Sequence, residues 1–146
     1  HLGLTVDCAL AETLELVQRR LIDAALAQTQ VLVHRDFMPR NLMPLKGGGL
    51  AVLDFQDAVI GPISYDALSL FKDAFASWPQ ELVDWGIARY HERAVKAGLP
   101  VPALADFRRD VDFIGVQRHL KVLGIFARLN HRDAKPKYLA DAPRFV

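Results

Sequence analysis

His34-Arg35-Asp36-Phe37-Met38-Pro39-Arg40-Asn41 is the stretch on which the reading of this chain turns, together with Asp54-Phe55-Gln56-Asp57 further on. It follows Val31-Leu32-Val33, a short β-branched run that reads as a buried strand delivering the chain to His34. Beyond it, Leu42-Met43-Pro44-Leu45 and Leu50-Ala51-Val52-Leu53 read as two short strands around Lys46-Gly47-Gly48-Gly49. Glycines tolerate positive φ, so that segment is expected to turn a hairpin. A phosphate cradle is the other use of such glycines, but no Gly-Lys-Ser/Thr follows and no helix opens directly after it.

The hairpin doubles the chain back, so Asp54 is expected near Asn41 despite their separation in sequence. Asp36, Asn41 and Asp54 then form a set of hard oxygen donors on strand ends and tight turns. Phosphoryl transfer needs such a set. A carboxylate must orient a substrate hydroxyl and take its proton, and carboxylate or amide oxygens must hold the magnesium that bridges the phosphates. The bland alternative is three polar loop residues capping turns. Their joint spacing in a strand–turn context favours the chemical reading.

Outward from this stretch the chain is mainly helical. Leu10, Leu14, Val17, Leu21 and Ala25 recur at helical spacing and predict a helix from Leu10 to Leu26, with those residues inward. Tyr65 to Ser77 carries Leu68, Phe71 and Phe75 at similar spacing. Pro79 suits a helix first turn, Leu82 to Lys96 continues, and Gly98, Pro100 and Pro102 form a stop. A last helix is expected from Ala105 to about Leu129, with Phe107, Val111, Ile114, Leu120, Leu123 and Ala127 inward. Trp78 and Trp85 could stack on a sugar ring, although aromatic residues in amphipathic helices are more often core.

The sequence has 146 residues, 18 basic and 17 acidic side chains and a net charge of +1. That suits one compact core in a single domain over residues 1–146. The near balance of charge argues against nucleic acid and membrane surfaces as partners, and no apolar run approaches the ~20 residues of a membrane span. Eight basic and three acidic residues lie between Arg108 and Lys137, a local positive excess suited either to anionic substrates or to ordinary surface. The one cysteine, Cys8, reads as inert, demands no oxidising compartment, and fits a cytoplasmic location. His91, His119 and His131 show no zinc-ligand spacing.

The order His-Arg-Asp, four residues, Asn, with Asp54-Phe55 downstream, resembles the catalytic loop and metal-binding segment of the protein-kinase-like superfamily. Gln56 stands where protein kinases have glycine, and no Ala-Pro-Glu follows. Instead the run to Gly61-Pro62 and Tyr65-Asp66-Ala67-Leu68 resembles the aminoglycoside phosphotransferase family, which includes choline and sugar kinases. Many of its members have glycines where this chain has Arg35 and Arg40. His34 to Met43, Leu53 to Val59, Gly61 to Asp66 and Gln117 to Gly124 are most similar to the bacterial anomeric sugar kinases of cell-wall recycling. Those enzymes phosphorylate N-acetylmuramate and N-acetylglucosamine with ATP.

The resemblance implies an α+β, mainly helical protein-kinase-like C-lobe with a small β-hairpin patch. It also implies ATP and Mg²⁺ as cofactors, Asp36 as general base, and Asn41 and Asp54 as metal ligands. His34 would pack behind the loop, and Asp66 would hold it through backbone hydrogen bonds. Arg35 and Arg40 would neutralise phosphate or pair with nearby acids. Asp57 is either a third acid at the site or an exposed turn residue. Gln117, Arg118 and His119 either contact a sugar or a carboxylate or form a solvated helix face. The lysine-bearing β lobe that covers ATP in such kinases is not found ahead of Val31. The expectation is therefore a catalytic lobe without its N-lobe, inactive alone. An aminoglycoside or choline-type kinase and a non-catalytic binding module are the competing readings.

Overall fold

A computed structural model describes residues 7–72 and 77–135. Asp7 starts the first helix, α1 (Cys8–Ala27), where its carboxylate accepts the Leu10 N–H at 2.8 Å. This cap satisfies one of the free donors of the first turn. The chain then enters β1 (Gln30–Val33), crosses the loop at 34–41, whose last residues Pro39–Asn41 form one 3₁₀ turn, and makes a hairpin from β2 (Leu42–Pro44) and β3 (Leu50–Val52). A further strand, β4 (Val59–Pro62), leads into α2 (Ser64–Phe71), α3 (Gln80–Lys96) and α4 (Leu104–His131). The mainly helical α+β architecture expected from the sequence is the observed one.

The strands form two separate antiparallel pairs. In the hairpin Leu42 faces Val52 and Pro44 faces Leu50. Gly48 and Gly49 take φ of 87° and 88°, the left-handed region that glycine enters without a Cβ clash. The second pair was not expected. β4 lies against β1 with Val33 opposite Val59 and Gln30 opposite Pro62. Val59-Ile60-Gly61-Pro62 reads locally as a turn because it ends in glycine and proline. Gly61 suits the spot for a packing reason, since a Cβ there would come within 2.8 Å of the Val33 side chain.

The core lies between α2, α3 and α4, where Ile63, Leu68, Val83, Ile87, Phe107, Val111 and Ile114 are buried together. Burial of such side chains is the main favourable term in folding, about 1.5–3 kcal/mol each. Tyr90 joins this core, stacking on Phe107 and donating its hydroxyl to the Ile63 carbonyl at 3.1 Å. Burial raises its pKa, and the Asp66 charge adds to the effect. α3 ends as its glycine requires. Gly98 at φ 74° lets its own N–H reach Val95 and the Leu99 N–H reach Ala94, so two terminal carbonyls are satisfied.

Several local expectations change. α2 stops at Phe71 and Ser77 is not helical, while Phe75 lies outside the described residues. Pro79 caps α3 from just outside its first turn. Trp78 and Trp85 are exposed, and neither is core. Val83, Gly86, Ile87, Tyr90 and Ala94 form the inward stripe of α3, and Trp85 lies at its exposed edge. In α1 only Leu21 is buried, and Leu10, Leu14 and Val17 remain exposed. Among the described residues, α1 packs on α4 and β4. In α4 the inward set is Phe107, Val111, Ile114, Arg118 and Phe126, while Leu120 is exposed.

Candidate active site

The loop after β1 is held from both sides. On one side stands Asp66, in the first turn of α2. Its Oδ2 accepts the His34 N–H at 2.7 Å and its Oδ1 accepts the Arg35 N–H at 3.0 Å. Two charge-assisted bonds from one half-buried carboxylate fix the direction in which the loop leaves the strand. α2 itself is anchored at its start by Gln28, whose Oε1 accepts the Ser64 hydroxyl at 2.6 Å in a buried contact. The end of α1, the start of α2 and the catalytic-type loop are therefore one connected unit.

Arg35 takes φ of 73°, a conformation costly for a residue with a Cβ and kept only where the surroundings enforce it. Its carbonyl accepts from Arg118 Nη1 at 3.0 Å, and the Ser69 hydroxyl lies 3.4 Å away. Its own guanidinium donates to the Asp57 carbonyl at 3.3 Å. Arg35 is thereby tied to the Asp57 main chain, and the Asp57 side chain is exposed.

Asp36 follows immediately. Its backbone carbonyl accepts the Met38 N–H at 2.9 Å and the Asn41 amide Nδ2 at 2.8 Å, which closes the loop into a tight turn. The Asn41 NH₂ is used on that carbonyl, and its amide oxygen remains as the side chain's acceptor. The Asp36 carboxylate is 44% exposed and can meet a solvent-borne hydroxyl. Arg40 is exposed on the 3₁₀ turn.

The hairpin brings Leu53, the residue before the second carboxylate, against the loop. The Asn41 carbonyl accepts the Leu53 N–H at 2.9 Å, continuing the ladder one step past the Leu42–Val52 pair. His34 binds the same segment from the other side, with Nε2 2.9 Å from the Leu53 carbonyl. A carbonyl can only accept, so Nε2 carries the proton, and Nδ1 is buried without a hydrogen-bond partner. The His34 ring also meets Phe37 edge-on. Asp54, next along, has φ of 65°, which aspartate tolerates better than most residues. Its Oδ1 accepts from the Gln56 amide at 2.6 Å, and the residue is exposed.

The donors present fit magnesium. The amide oxygen of Asn41 and the exposed carboxylate of Asp54 are hard oxygen groups that would suit magnesium, which is normally held by one or two such groups plus substrate phosphates and water. Among the described residues no three His, Cys, Asp or Glu side chains converge as a group that could hold a metal ion by themselves.

The three neighbours on α4 separate. Arg118 turns to the loop, 7% exposed, with Nη2 3.8 Å from Asp36 Oδ1. Gln117 faces α1, where with Leu21, Ile22 and Leu120 it lines a cavity of about 260 Å³. His119 is half-buried, and burial lowers its pKa, helped by the positive charges of Lys72 and Arg118. A solvated helix face therefore does not describe Arg118. A larger apolar cavity of about 450 Å³ beside α3, walled by Phe71, Trp85, Tyr90 and Leu99, contains none of these residues. Sequence reading missed Tyr65 and Ser69, which touch Arg118 and the loop carbonyl. The i, i+4 spacing of Tyr65 and Ser69 on one short helix was the available signal.

The model of the phosphotransferase enzyme family matches residues 2–102. The chain is 57% identical to an N-acetylmuramate/N-acetylglucosamine kinase of Pseudomonas putida and 52% identical to one of Pseudomonas aeruginosa. Each match covers 99% of this chain and 43% of the relative. A protein of the same name from Neisseria meningitidis is 57% identical over 86% of this chain and 38% of its own length. The chain thus spans less than half the length of the curated relatives it matches. With more than half of its residues matched by that model, the chain belongs to the phosphotransferase enzyme family.

Proposed function

We propose that the full-length protein is an ATP- and Mg²⁺-dependent kinase of amino sugars. It phosphorylates the anomeric hydroxyl of N-acetylmuramate or N-acetylglucosamine in the cytoplasm, as a step of peptidoglycan recycling. The observation that carries this reading is the Asp66 clamp on the His34 and Arg35 amides, which presents Asp36 from a turn closed by the Asn41 amide. The names of the relatives support the sugar substrate.

Asp36 orients the sugar hydroxyl and takes its proton as the oxygen bonds to the terminal phosphorus of ATP and the bond to the leaving phosphate oxygen breaks. Asn41 and Asp54 would hold magnesium, which supplies neutralisation of the phosphate charge when bound. His34 holds the hairpin end against the loop, which keeps Asp54 and Asn41 together. Such positioning accounts for most of the catalysis in phosphoryl transfer.

None of the four strands described carries a lysine able to pair with the nucleotide phosphates. The 146-residue chain is accordingly read as one lobe of a two-lobed enzyme, inactive by itself. A coupled assay of ATP consumption tests the reading. The full-length protein should consume ATP on addition of N-acetylmuramate or N-acetylglucosamine, and absence of sugar-stimulated turnover contradicts it.

A further inference from the structure

Arg118 is a buried cation on α4, 83 positions from the loop it touches. Removing a guanidinium from water costs several kcal/mol unless its donors are used and its charge is met. The contacts of Arg118 converge on one place. Nη1 donates to the Arg35 carbonyl at 3.0 Å and to the Tyr65 hydroxyl at 3.2 Å, the guanidinium carbon lies 5.5 Å from the centre of the Tyr65 ring, and Nη2 lies 3.8 Å from Asp36 Oδ1. The carboxylate it faces is the one at which the proposed proton transfer occurs.

The backbone explains why the loop needs such a contact. Arg35 sits at positive φ, so its peptide groups must be held or they relax. Asp66 holds the N–H and Arg118 holds the carbonyl, which belongs to the peptide bond leading into Asp36. A rotation of that peptide would swing the Asp36 carboxylate. The same guanidinium that locks the peptide also sets the charge that the carboxylate faces.

We infer that Arg118 is a positioning residue for the transfer reaction, fixing both the Arg35–Asp36 peptide and the direction of the Asp36 carboxylate, and that it is not a contact to sugar or phosphate. The inference rests on the proposed kinase reading. Its low exposure and inward donors separate it from a surface arginine waiting for an anion. Lysine cannot replace it, because one ammonium has no planar fork with which to span the carbonyl, the phenol and the carboxylate.

The test compares Arg118→Lys and Arg118→Met in the full-length protein, with wild type and Asp36→Asn alongside. Arg118→Met should lower kcat about 100-fold, the loss expected of a carboxylate displaced by about an ångström, with KM for sugar and ATP within about threefold of wild type. Arg118→Lys should fold normally and also lose kcat at unchanged KM, and it decides the matter if Arg118→Met does not fold. In the Asp36→Asn background Arg118→Lys should produce no further loss, because the group it positions is gone. A raised KM for the sugar with kcat intact, unchanged kcat in both variants, or additive losses with Asp36→Asn would each overturn the inference. A wild-type protein without sugar-stimulated turnover overturns the kinase reading and this inference with it.

Discussion

Asp66 accepts the backbone N–H of His34 at 2.7 Å, joining the first turn of α2 to the end of β1 across 32 positions of chain. The second oxygen takes the next amide, that of Arg35, so the carboxylate replaces two rungs the strand can no longer make. Asp66→Ala leaves both half-buried donors unmet, and charge-assisted bonds contribute about 1.5–3 kcal/mol each. The expected destabilisation is about 3–6 kcal/mol by urea unfolding, with Asp66→Asn at the lower end because it keeps one acceptor. A loss below about 0.5 kcal/mol would show that the clamp does not hold the loop.

Gly61 sets how closely β4 approaches β1. Gly61→Ala drives a Cβ to 2.8 Å from the Val33 side chain, which is 2% exposed and has little room to move. Overpacking of this kind costs about 1–3 kcal/mol. Chemical denaturation should show that loss, and a variant as stable as wild type would mean that the strand pair shifts freely.

His119 makes stability depend on pH. Its folded pKa lies below the ordinary 6.5 because burial and the charges of Lys72 and Arg118 disfavour the cation. The unfolded chain therefore binds the proton more readily, and stability falls as pH drops below about 6.5 and through the lower folded value. His119→Gln should flatten this part of the profile. The Tm difference between wild type and variant should move in the variant's favour from pH 8 to pH 5.5, and a constant difference would contradict the assignment.

Asn41→Ala and Asp54→Ala each remove one hard oxygen ligand from the proposed magnesium pair. Each variant should raise the Mg²⁺ concentration needed for half-maximal turnover of the full-length protein by about tenfold or more, as loss of ligand oxygens weakens magnesium binding. An unchanged Mg²⁺ requirement would take these residues out of the metal site.

Much of this was legible in the sequence where the signal is local. The inward set Phe107, Val111 and Ile114 follows from the 3.6-residue period, and the hairpin follows from Gly48 and Gly49. Asp36, Asn41 and Asp54 could be selected from residue type and spacing. Two things were hidden. β4 looks like a turn until it pairs with β1, because strand pairing is a long-range contact and Gly61 is chosen by the bulk of Val33. Arg118 could be named but not placed, since one residue's shift on a helix turns a side chain by about 100°, enough to separate Gln117 facing α1 from Arg118 facing the loop. The exposed apolar side of α1, with Leu10 and Leu14, shows the opposite failure, where periodicity marks a face but not what covers it.

The proposed kinase reaction requires Asp36 to perform the proton transfer from the sugar hydroxyl. The most direct measurement is kcat for N-acetylmuramate in full-length Asp36→Asn protein, beside its Tm and its binding of sugar. General-base loss should reduce kcat by about 10²–10⁴-fold while Tm and sugar binding stay near wild type. Retention of more than about a tenth of wild-type kcat by a folded, sugar-binding variant would contradict the account.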